Sequence, residues 1–479
     1  MSVPLPKPNF SVQWHITTNC NNNCKHCYMY DERTFLDERN NTLSDEDLLK
    51  VFYNLMEFEK KWDCNISGFA FSGGDPLLRE NWYEFLSVVS EHGKDIRILG
   101  NPESLSEENI SRLKKLKVKR FQMSLDGLEE NHDKFRSPGS FQRTVKKISE
   151  LEENGIAVQI MFTLYPENRS ELFPLIKYLE ENTPLTSFSF DIGTASGNAE
   201  TLDRIIDKEE IKSILVKYSA ERRRLKLSGH KLELKEKSHF FNILKVKENP
   251  GNTAYCESIP VLDGCLAGWY SVGILSDGNV MACRRMPIIS GKMPEQSFEE
   301  IFFGDEFLKK LRRKSFFEGC NECGFYQYCR GCPAFSLGEK GDPFKLNPIC
   351  FKELVTDNYK LITNEFEPPL TTTLEEEYAY FKKGFRFSHK YLLEILKTKN
   401  DVRHLFLLLM ESGEEQRIFL EDKAGYIKKN NLSVIDYDLL TLQFYFRKLD
   451  YDCLLEREES AAIIKEFVNR LKIHHFKSL

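Results

Sequence analysis

The feature that most constrains the fold is an alternation of short apolar runs with amphipathic helical stretches over residues 11–192. Six runs rich in β-branched and aromatic residues are predicted to be strands, over 11–17, 66–72, 95–100, 118–125, 156–164 and 185–192. Helices are predicted between them over 44–59, 80–92, 106–116, 141–155 and 169–181. Strands joined through helices pair in parallel with right-handed crossovers. The pattern therefore predicts an α/β fold with its chemistry at the carboxyl ends of the strands.

Three cysteines follow the first predicted strand, in the segment NCNNNCKHC. Cys20, Cys24 and Cys27 can hold three irons of a cubane cluster, which leaves the fourth iron open to an exogenous ligand. The amine and carboxylate of the methionine part of S-adenosylmethionine (SAM) would suit that position. A zinc site with a distant fourth ligand such as His26 is the alternative, although CxxxCxxC is not a usual zinc spacing.

A glycine pair and an acid follow the second predicted strand, in SGGDP. Gly73 and Gly74 would let the backbone approach a ligand closely, since neither residue carries a Cβ. Asp75 could accept hydrogen bonds from an ammonium group. An ordinary turn between a strand and a helix is the alternative interpretation.

Polar residues also follow the fourth predicted strand, in MSLDG and HDKFR. Ser124 and Asp126 alternate with apolar neighbours and could face one side of the sheet. Arg136 could bind a carboxylate through two hydrogen bonds. Each of these residues, taken alone, could equally lie in a solvated loop.

Together, CNNNCKHC, SGGDP, MSLDG and HDKFR resemble the motifs of the radical SAM superfamily, in order and in strand position. The resemblance implies a partial (β/α)6 barrel of the TIM type and a catalytic [4Fe–4S] cluster on Cys20, Cys24 and Cys27. Asp75 stands where the family more often has Glu. The implied SAM contacts are Gly73, Gly74 and Asp75 at the amino group, Ser124 and Asp126 near the ribose or carboxylate, Arg136 at the carboxylate and Tyr28 near the adenine.

A second cysteine field begins at Cys265, continues through Gly278 and Cys283, and ends in a cluster after residue 319. Its later members are Cys320, Cys323, Cys329, Cys332 and Cys350. Seven cysteines are too many for one four-ligand cluster and nearly enough for two. Gly278 is predicted to form a tight turn between the strands VGIL and VMAC. A pair of zinc ribbons is the alternative.

This second field resembles the SPASM domain that follows radical SAM barrels in enzymes modifying peptides and proteins. By that resemblance, auxiliary cluster II would be held by Cys320, Cys323, Cys329 and Cys350. Cluster I would be held by Cys265, Cys283 and Cys332. The spacing CRGC is one residue shorter than usual, and no cysteine lies between Cys265 and Cys283. Cys256 is the candidate fourth ligand of cluster I, and otherwise an open iron could bind a substrate thiolate.

Three charged residues are further candidates. Asp191 ends the sixth predicted strand and could face the barrel as a catalytic residue, although an exposed turn acid is the favoured interpretation. Arg284 and Arg285 follow Cys283 and could tune cluster I or bind a peptide carboxylate, with surface ion pairing as the favoured alternative. Cys64 and Cys453 stand alone and are interpreted as buried, inert thiols.

Composition bears on the partners, the location and the use of the cysteines. The net charge of −6 gives no reason to expect attraction to nucleic acid or to an anionic membrane. No signal peptide or bilayer-length apolar run is found, so a cytoplasmic location is predicted. Thirteen cysteines in a reducing compartment favour metal ligation over disulfides. The predicted domains are a barrel over 1–200, a helical connector over 201–250, a SPASM domain over 251–365 and a helical domain over 370–479.

The resemblance implies an enzyme that cleaves SAM to a 5′-deoxyadenosyl radical and oxidatively modifies a ribosomally made peptide, through thioether or other side-chain crosslinks. Its expected cofactors are SAM and three [4Fe–4S] clusters, one binding SAM and two auxiliary. Its expected partners are a precursor peptide and an electron donor such as flavodoxin or ferredoxin. A peptide epimerase, an anaerobic sulfatase-type maturase and a non-catalytic electron carrier are the alternatives. The C-terminal helices could bind a leader peptide, mediate dimerisation or cap the core.

Overall fold

The computed structural model describes residues 4–30, 35–201, 206–248, 260–261, 263–355, 369–384, 386, 389–411, 423–430, 432–434 and 438–442. The chain divides into two compact units. The larger comprises Pro8–Phe241 and Asp263–Lys382, and the smaller comprises Met1–Lys7, Asn242–Leu262 and Lys383–Leu479. The predictions made for Cys256 and Cys453 lie outside the described residues.

The larger unit is built on one sheet whose ten strands run in the order β10-β9-β8-β1-β2-β3-β4-β5-β6-β7. Their bounds are β1 Asn9–Thr17, β2 Asn65–Gly73, β3 Asp95–Leu99, β4 Arg120–Ser124, β5 Val158–Leu164, β6 Ser187–Ile192, β7 Glu233–Lys235, β8 Ser271–Ile274, β9 Asn279–Cys283 and β10 Met286–Lys292. Neighbours from β1 to β7 pair in parallel. The six predicted strands and their parallel order are therefore confirmed, and the sheet is barrel-like.

Side chains alternate along the parallel strands between an apolar face and a polar face. In β1, Phe10, Val12, Trp14 and Ile16 are fully buried, and Trp14 packs edge-on against Phe85 at 5.4 Å between ring centroids. Parallel sheets covered on both faces usually carry apolar residues on both. One face of this sheet is therefore packed against helices, whereas the other is suited to face a ligand.

We call this polar side the lumen face. Side-chain hydrogen bonds connect adjacent strands on this face. Gln13 Nε2 donates to Ser72 Oγ at 3.2 Å, and Gln159 Nε2 donates to Ser189 Oγ at 2.7 Å. These bonds join neighbouring strands on the polar side of the sheet. The lumen face therefore resembles the wall of a binding cavity more than a hydrophobic core.

The helices of the larger unit mostly follow the strands. They are α1 Phe35–Asn40, α2 Asp45–Lys61, α3 Trp82–Glu91, α4 Glu107–Lys115, α5 Glu129–Phe135, α6 Ser140–Glu153, α7 Leu172–Asn182, α8 Lys208–Leu227, α9 Phe241–Glu248, α10 Phe298–Gly304, α11 Glu306–Leu311, α12 Pro333–Lys340 and α13 Leu374–Phe381. Of these, α9 begins in the larger unit and continues into the smaller one. The predicted N-cap Ser44 accepts a hydrogen bond from the backbone of Asp47, as expected for a helix start.

The segment predicted as a helical connector over 201–250 also contains a strand, β7. This three-residue strand pairs in parallel with β6. It is held by Tyr218 of α8, whose hydroxyl donates to the carbonyl of Lys235 at 3.2 Å. The connector therefore extends the sheet as well as linking two regions of the chain.

The cysteine-rich region joins the same sheet. The predicted hairpin around Gly278 is confirmed, since β8 and β9 pair antiparallel and Gly278 has a φ of +88°. Strand β8 also pairs in parallel with β1. Helix α13 anchors the end of this region, because buried Glu377 accepts hydrogen bonds from Arg312 at 2.8 Å and Arg313 at 2.6 Å.

The smaller unit contains helices α14 His389–Thr398, α15 Asn400–Glu411 and α16 Lys423–Lys429. Its packing includes the fully buried side chains Leu392, Ile395, Leu405 and Leu409. Buried Asp438 accepts hydrogen bonds from Tyr391 at 2.7 Å and Lys399 at 2.6 Å. Across the described parts of both units, no helix is both long and apolar enough to cross a bilayer.

Candidate active site

The first cysteine group lies in the loop that follows β1. Burial raises the pKa of the Cys27 thiol to about 12, with Cys24 and Cys20 adding to the effect, so the three thiols lie together. The backbone N–H of Cys27 also donates to the carbonyl of Cys24 at 3.2 Å. Burial by itself disfavours thiolates here, whereas binding to a metal centre deprotonates cysteine.

The asparagines between these cysteines fasten the loop to the end of β3. Asn101 Nδ2 donates to Cys20 Sγ at 3.3 Å and to Asn21 Oδ1 at 2.9 Å. Asn21 in turn donates to Ser104 Oγ at 3.2 Å. The repeated Asn in NCNNNC is the sequence feature that could have indicated this anchoring of the cysteine loop. Asn101 itself was not predicted.

The glycine pair after β2 holds the backbone of the same loop. Gly74 N–H donates to the carbonyl of Thr17 at 3.0 Å, and Asp75 N–H donates to that of Asn19 at 2.7 Å. A Cβ at Gly73 would lie 2.1 Å from the Thr17 oxygen, and one at Gly74 would lie 2.0 Å from the Asn19 oxygen. Both glycines are therefore needed for the cysteine loop to approach β2.

The carboxyl group of Asp75 is fully buried at the edge of this arrangement. Its Oδ1 accepts from Leu77 N–H at 3.1 Å and its Oδ2 accepts from Asn101 N–H at 3.1 Å. Burial nevertheless raises its pKa. Asp75 ties β2 to the turn after β3, and its contact with a SAM amino group stays a prediction.

Asp126 and Arg136 form the charged centre of the site. Arg136 Nε donates to Asp126 Oδ2 at 2.6 Å, and its Nη1 donates to Cys24 Sγ at 3.6 Å. The other carboxylate oxygen accepts from Thr163 N–H at 2.9 Å. Burial opposes ionisation of Asp126, but the charges of Arg136 and His26 lower its pKa to about 2. Asp126 therefore orients Arg136 beside Cys24.

His26, the candidate fourth ligand of a zinc site, is engaged elsewhere. Its Nε2 accepts from Arg136 Nη2 at 3.3 Å and lies 3.4 Å from Asp126 Oδ2. Among the described residues, no three His, Cys, Asp or Glu side chains converge as on a single metal ion. His26 is therefore held by Arg136 and Asp126.

Ser124 ends β4 with a partly exposed side chain, at the same end of the sheet. Tyr28 is also half-buried, and burial raises the pKa of its hydroxyl, with the charges of Arg284, Cys27 and Cys283 also acting on it. Its ring lies 5.7 Å from the guanidinium carbon of Arg284. Tyr28 therefore lies near a member of the first cysteine group and near the cysteine of β9.

A second group comprises Cys265, Cys283 and Cys332. Burial raises the pKa of Cys332 to about 12; nearby Arg285 opposes the shift, and the other two thiols and Asp191 add to it. Cys265 N–H donates to the carbonyl of Cys329 at 3.3 Å, which ties this group to the next.

A third group comprises Cys320, Cys323, Cys329 and Cys350. Burial raises the pKa of Cys320 to about 12, and Cys323 and Cys350 contribute. Burial also raises the pKa of Cys329 well above its usual range, with the other three thiols of the group contributing. The two groups fit the ligand sets implied for auxiliary clusters I and II, and ligation itself stays a prediction.

Asp191 and Arg285 meet beside the second group. Arg285 Nη2 lies 3.1 Å from Asp191 Oδ2, and its Nη1 donates to the Ile192 carbonyl at 3.1 Å. Asp191 is only 17% exposed. Burial opposes its ionisation, but Arg285, Lys237 and His239 lower its pKa. The expected exposed turn acid is instead an enclosed residue on the lumen face.

The structure also differs from the expectation that Arg284 forms a surface ion pair. It is buried, so the interpretation as a surface ion pair is wrong for this residue. Its Nε donates to His15 Nε2 at 2.6 Å. The contact joins β9, which carries Cys283, to β1, which leads into the first cysteine group. Neither His15 nor Lys237 was singled out from the sequence, where both look like ordinary strand or surface residues.

Comparison with known proteins agrees with this arrangement. Residues 14–179 match the radical SAM superfamily, and residues 265–333 match SPASM, an iron–sulfur cluster-binding domain. The AdoMet-dependent heme synthase of Nitratidesulfovibrio vulgaris is 24% identical over 346 residues, covering 71% of this chain and 91% of that protein. The subtilosin biosynthesis protein AlbA of Bacillus subtilis is 25% identical over 359 residues, covering 73% and 72%.

Among solved structures, SuiB of Streptococcus suis bound to the precursor peptide SuiA superposes with a TM-score of 0.58. The identity is 16%, and the alignment covers 72% of this chain and 77% of SuiB. At this identity the likeness concerns the fold.

Proposed function

From the premise that this chain is a radical SAM enzyme with a SPASM domain, we propose that it oxidatively modifies a ribosomally made peptide. The proposed product is a thioether or another crosslink between side chains. The peptide would reach the lumen face of the sheet, between the first and second cysteine groups. An external electron donor such as a flavodoxin or ferredoxin would supply the first electron.

The observation that carries this proposal is the position of the second cysteine group. Cys283 and Cys27 both act on the pKa of Tyr28, so one member of each group lies near this ring. Three described cysteines leave room for either Cys256 or a substrate thiolate as a fourth ligand of that group. A peptide cysteine bound there would suit the formation of a sulfur-to-carbon bond.

The residues present fit SAM and three [4Fe–4S] clusters. When bound, these groups supply a carbon radical that abstracts hydrogen and a nearby sink for the electron released on oxidation. The chain itself fastens the cysteine loop through Asn101 and the glycine pair. It also holds Arg136 in place through Asp126, ready for a carboxylate at the open coordination position.

The names of similar proteins support the peptide proposal and also suggest a second candidate function. AlbA is named for the biosynthesis of a bacteriocin, and SuiB was solved with a precursor peptide. The heme synthases point to a second candidate, a radical modification of a tetrapyrrole acid. A specific feature favours keeping this candidate, because Arg97 of β3 and Arg120 of β4 are paired in register on the lumen face.

The test uses the anaerobically purified holoenzyme with dithionite and SAM. Formation of 5′-deoxyadenosine is expected, with about twelve irons per chain. Co-expression with a short open reading frame beside the gene should give a peptide that has lost two hydrogens per crosslink. An enzyme that forms 5′-deoxyadenosine, leaves every such peptide unchanged and converts an iron–coproporphyrin would refute the peptide proposal in favour of the second candidate.

A further inference from the structure

We infer that Arg330 is a buried cation that raises the reduction potential of the iron–sulfur cluster proposed for the second cysteine group. The inference rests on the proposed function, because that function places a cluster on Cys265, Cys283 and Cys332. The role assigned to Arg330 is electrostatic, and no bond is made or broken at this residue.

The position of Arg330 between two cysteine groups is the first observation. Arg330 directly follows Cys329 of the third group, and its Nη1 donates to the backbone carbonyl of Cys265 in the second group. The N–H of Cys265 donates in turn to the carbonyl of Cys329 at 3.3 Å. Both backbone polar groups of Cys265 are therefore held by the segment that carries Arg330.

The burial of this guanidinium without a carboxylate is the second observation. Only 2% of Arg330 is exposed. Its Nη2 donates to the carbonyl of Leu311 at 2.7 Å, and its guanidinium carbon lies 5.8 Å from the centre of the Trp269 ring. Its Nε is buried and has no hydrogen-bond partner among the described residues. Within that part of the chain, no carboxylate lies within ion-pair distance of Arg330, so the partners that the structure gives this cation are neutral groups.

The other arginine of this region shows the contrast. Arg285, two residues after Cys283, lies 3.1 Å from Asp191 Oδ2, so its charge is offset by a carboxylate. Arg330 has no such acid among the described residues. Burial raises the pKa of the Cys265 thiol, and the charge of Arg330 is the largest influence that opposes this rise. The uncompensated cation therefore acts on a proposed ligand of the cluster.

A cluster on the second group would supply the missing negative charge. Arginine stays protonated in proteins, and a buried charge is normally paired or lies beside a metal centre. The thiolates that hold an iron–sulfur cluster are anionic, and a cluster that accepts an electron becomes more negative. A nearby cation therefore stabilises the reduced form more than the oxidised form, which raises the reduction potential. Such a shift would suit a cluster that accepts the electron released from an oxidised substrate.

The experiment is a redox titration of the holoenzyme under argon, followed by electron paramagnetic resonance. The signal that changes in Cys283→Ala identifies the cluster of the second group. At the wild-type midpoint potential of that cluster, Arg330→Gln should lower the ratio of reduced to oxidised cluster about tenfold, which corresponds to about 59 mV for a one-electron couple. The amide keeps a hydrogen-bond donor but removes the charge.

Two further variants separate charge from hydrogen bonding. Arg330→Lys keeps the positive charge and should change the ratio by about twofold or less. Lys340→Gln removes a charge from the exposed end of α12 in the same region and is the matched control. Its ratio should also stay within about twofold of wild type, because solvent and salt screen an exposed charge.

An unchanged ratio in Arg330→Gln would overturn the inference. So would equal falls in Arg330→Gln and Arg330→Lys, since the effect would then come from hydrogen-bond geometry. If Arg330→Gln loses the irons of this cluster, iron content decides: retention in Arg330→Lys supports the need for a cation, and loss in both variants overturns the inference. A wild-type protein with no cluster signal that responds to Cys283→Ala would count against the proposed function instead.

Discussion

Arg284 donates from its Nε to the Nε2 of His15 across 2.6 Å, and the Nδ1 of His15 lies 3.0 Å from Glu38. Because Nε2 accepts, the imidazole is neutral and carries its proton on Nδ1, directed at the carboxylate. Burial and the charge of Arg284 lower the pKa of His15 to about 4, which is consistent with this form. The chain of bonds fixes the strand bearing Cys283 against β1.

Replacing Arg284 by Met should therefore destabilise the larger unit by about 3 kcal/mol, because Glu38 would lose the buried cation that faces it through His15. Urea unfolding of the holoenzyme under argon measures this loss. Arg39→Met, which removes an exposed arginine from α1, should change the free energy of unfolding by about 0.5 kcal/mol or less. Equal effects of the two substitutions would contradict the role given to the Arg284–His15 bond.

Asp126→Asn should reduce kcat/KM for SAM cleavage by about 10- to 100-fold, as is typical when a group orienting an active-site residue is lost. The amide keeps the size of Asp126 but removes the charge that holds Arg136 beside Cys24. The rate of 5′-deoxyadenosine formation as a function of SAM concentration measures the effect, and a rise in KM is expected to dominate. Asp95→Asn, a partly exposed acid on β3, is the control. If both variants cleave SAM as wild type does, Asp126 does not position Arg136 for this reaction.

Gly74→Ala should selectively impair the first cluster. The added Cβ would lie 2.0 Å from the Asn19 oxygen, so the cysteine loop would have to move away from β2. About four of twelve irons should be lost while the auxiliary clusters keep their electron paramagnetic resonance signals.

In Gly304→Ala, by contrast, the new Cβ meets the Leu374 side chain at an ordinary 3.5 Å, and the iron content should stay unchanged. A full complement of irons in Gly74→Ala, with SAM cleavage intact, would show that the loop tolerates the displacement.

Stability should fall as the pH is lowered from 6.5 towards 4, in part through His132. Burial and the charge of Arg136 lower the pKa of this histidine from 6.5 to about 4. The folded protein then binds fewer protons than the unfolded chain between these values, so the contribution is complete above pH 6.5 and declines below it. At pH 5.5 the expected loss is about 1 kcal/mol.

The comparison with His132→Asn isolates this group, because the amide can still accept and donate hydrogen bonds but cannot titrate. Urea midpoints at pH 7.5 and 5.5 should diverge more for the wild type than for the variant. Parallel pH profiles would mean that His132 is protonated to the same extent in the folded and unfolded states.

The strands of the barrel could be predicted because their residues alternate or run apolar over lengths that local chemistry explains. Strand β7 could not, since ELK lies in a charged segment and becomes a strand only by pairing with β6 and bonding to Tyr218. For the same reason, the sequence could not show that Lys237 Nζ lies 3.7 Å from the sulfur of Met161 in β5.

The residues of the candidate site also fall into those that the sequence could predict and those that it could not. The spacing of the cysteines indicated a first group and a second field, and the resemblance divided that field into two groups. The described members of each group act on one another's pKa values. The supporting contacts were not foreseeable, because a single asparagine such as Asn101 has no distinctive pattern. Likewise, Asp126 was expected to face a ligand, but both of its oxygens are engaged within the protein, by Arg136 and by the backbone of Thr163.

The pairing of β8 with β1 has a consequence for how a peptide can be held. Many proteins bind an extended peptide by adding it as a further strand to an exposed sheet edge. Here the edge of β1 is already taken along Ser11–Trp14 by the strand Ser271–Ile274. The strand order ends instead at β10 and β7. Under the proposed function, a peptide beside the first cysteine group would therefore find no free edge on β1 along these residues and would be recognised there by its side chains and termini.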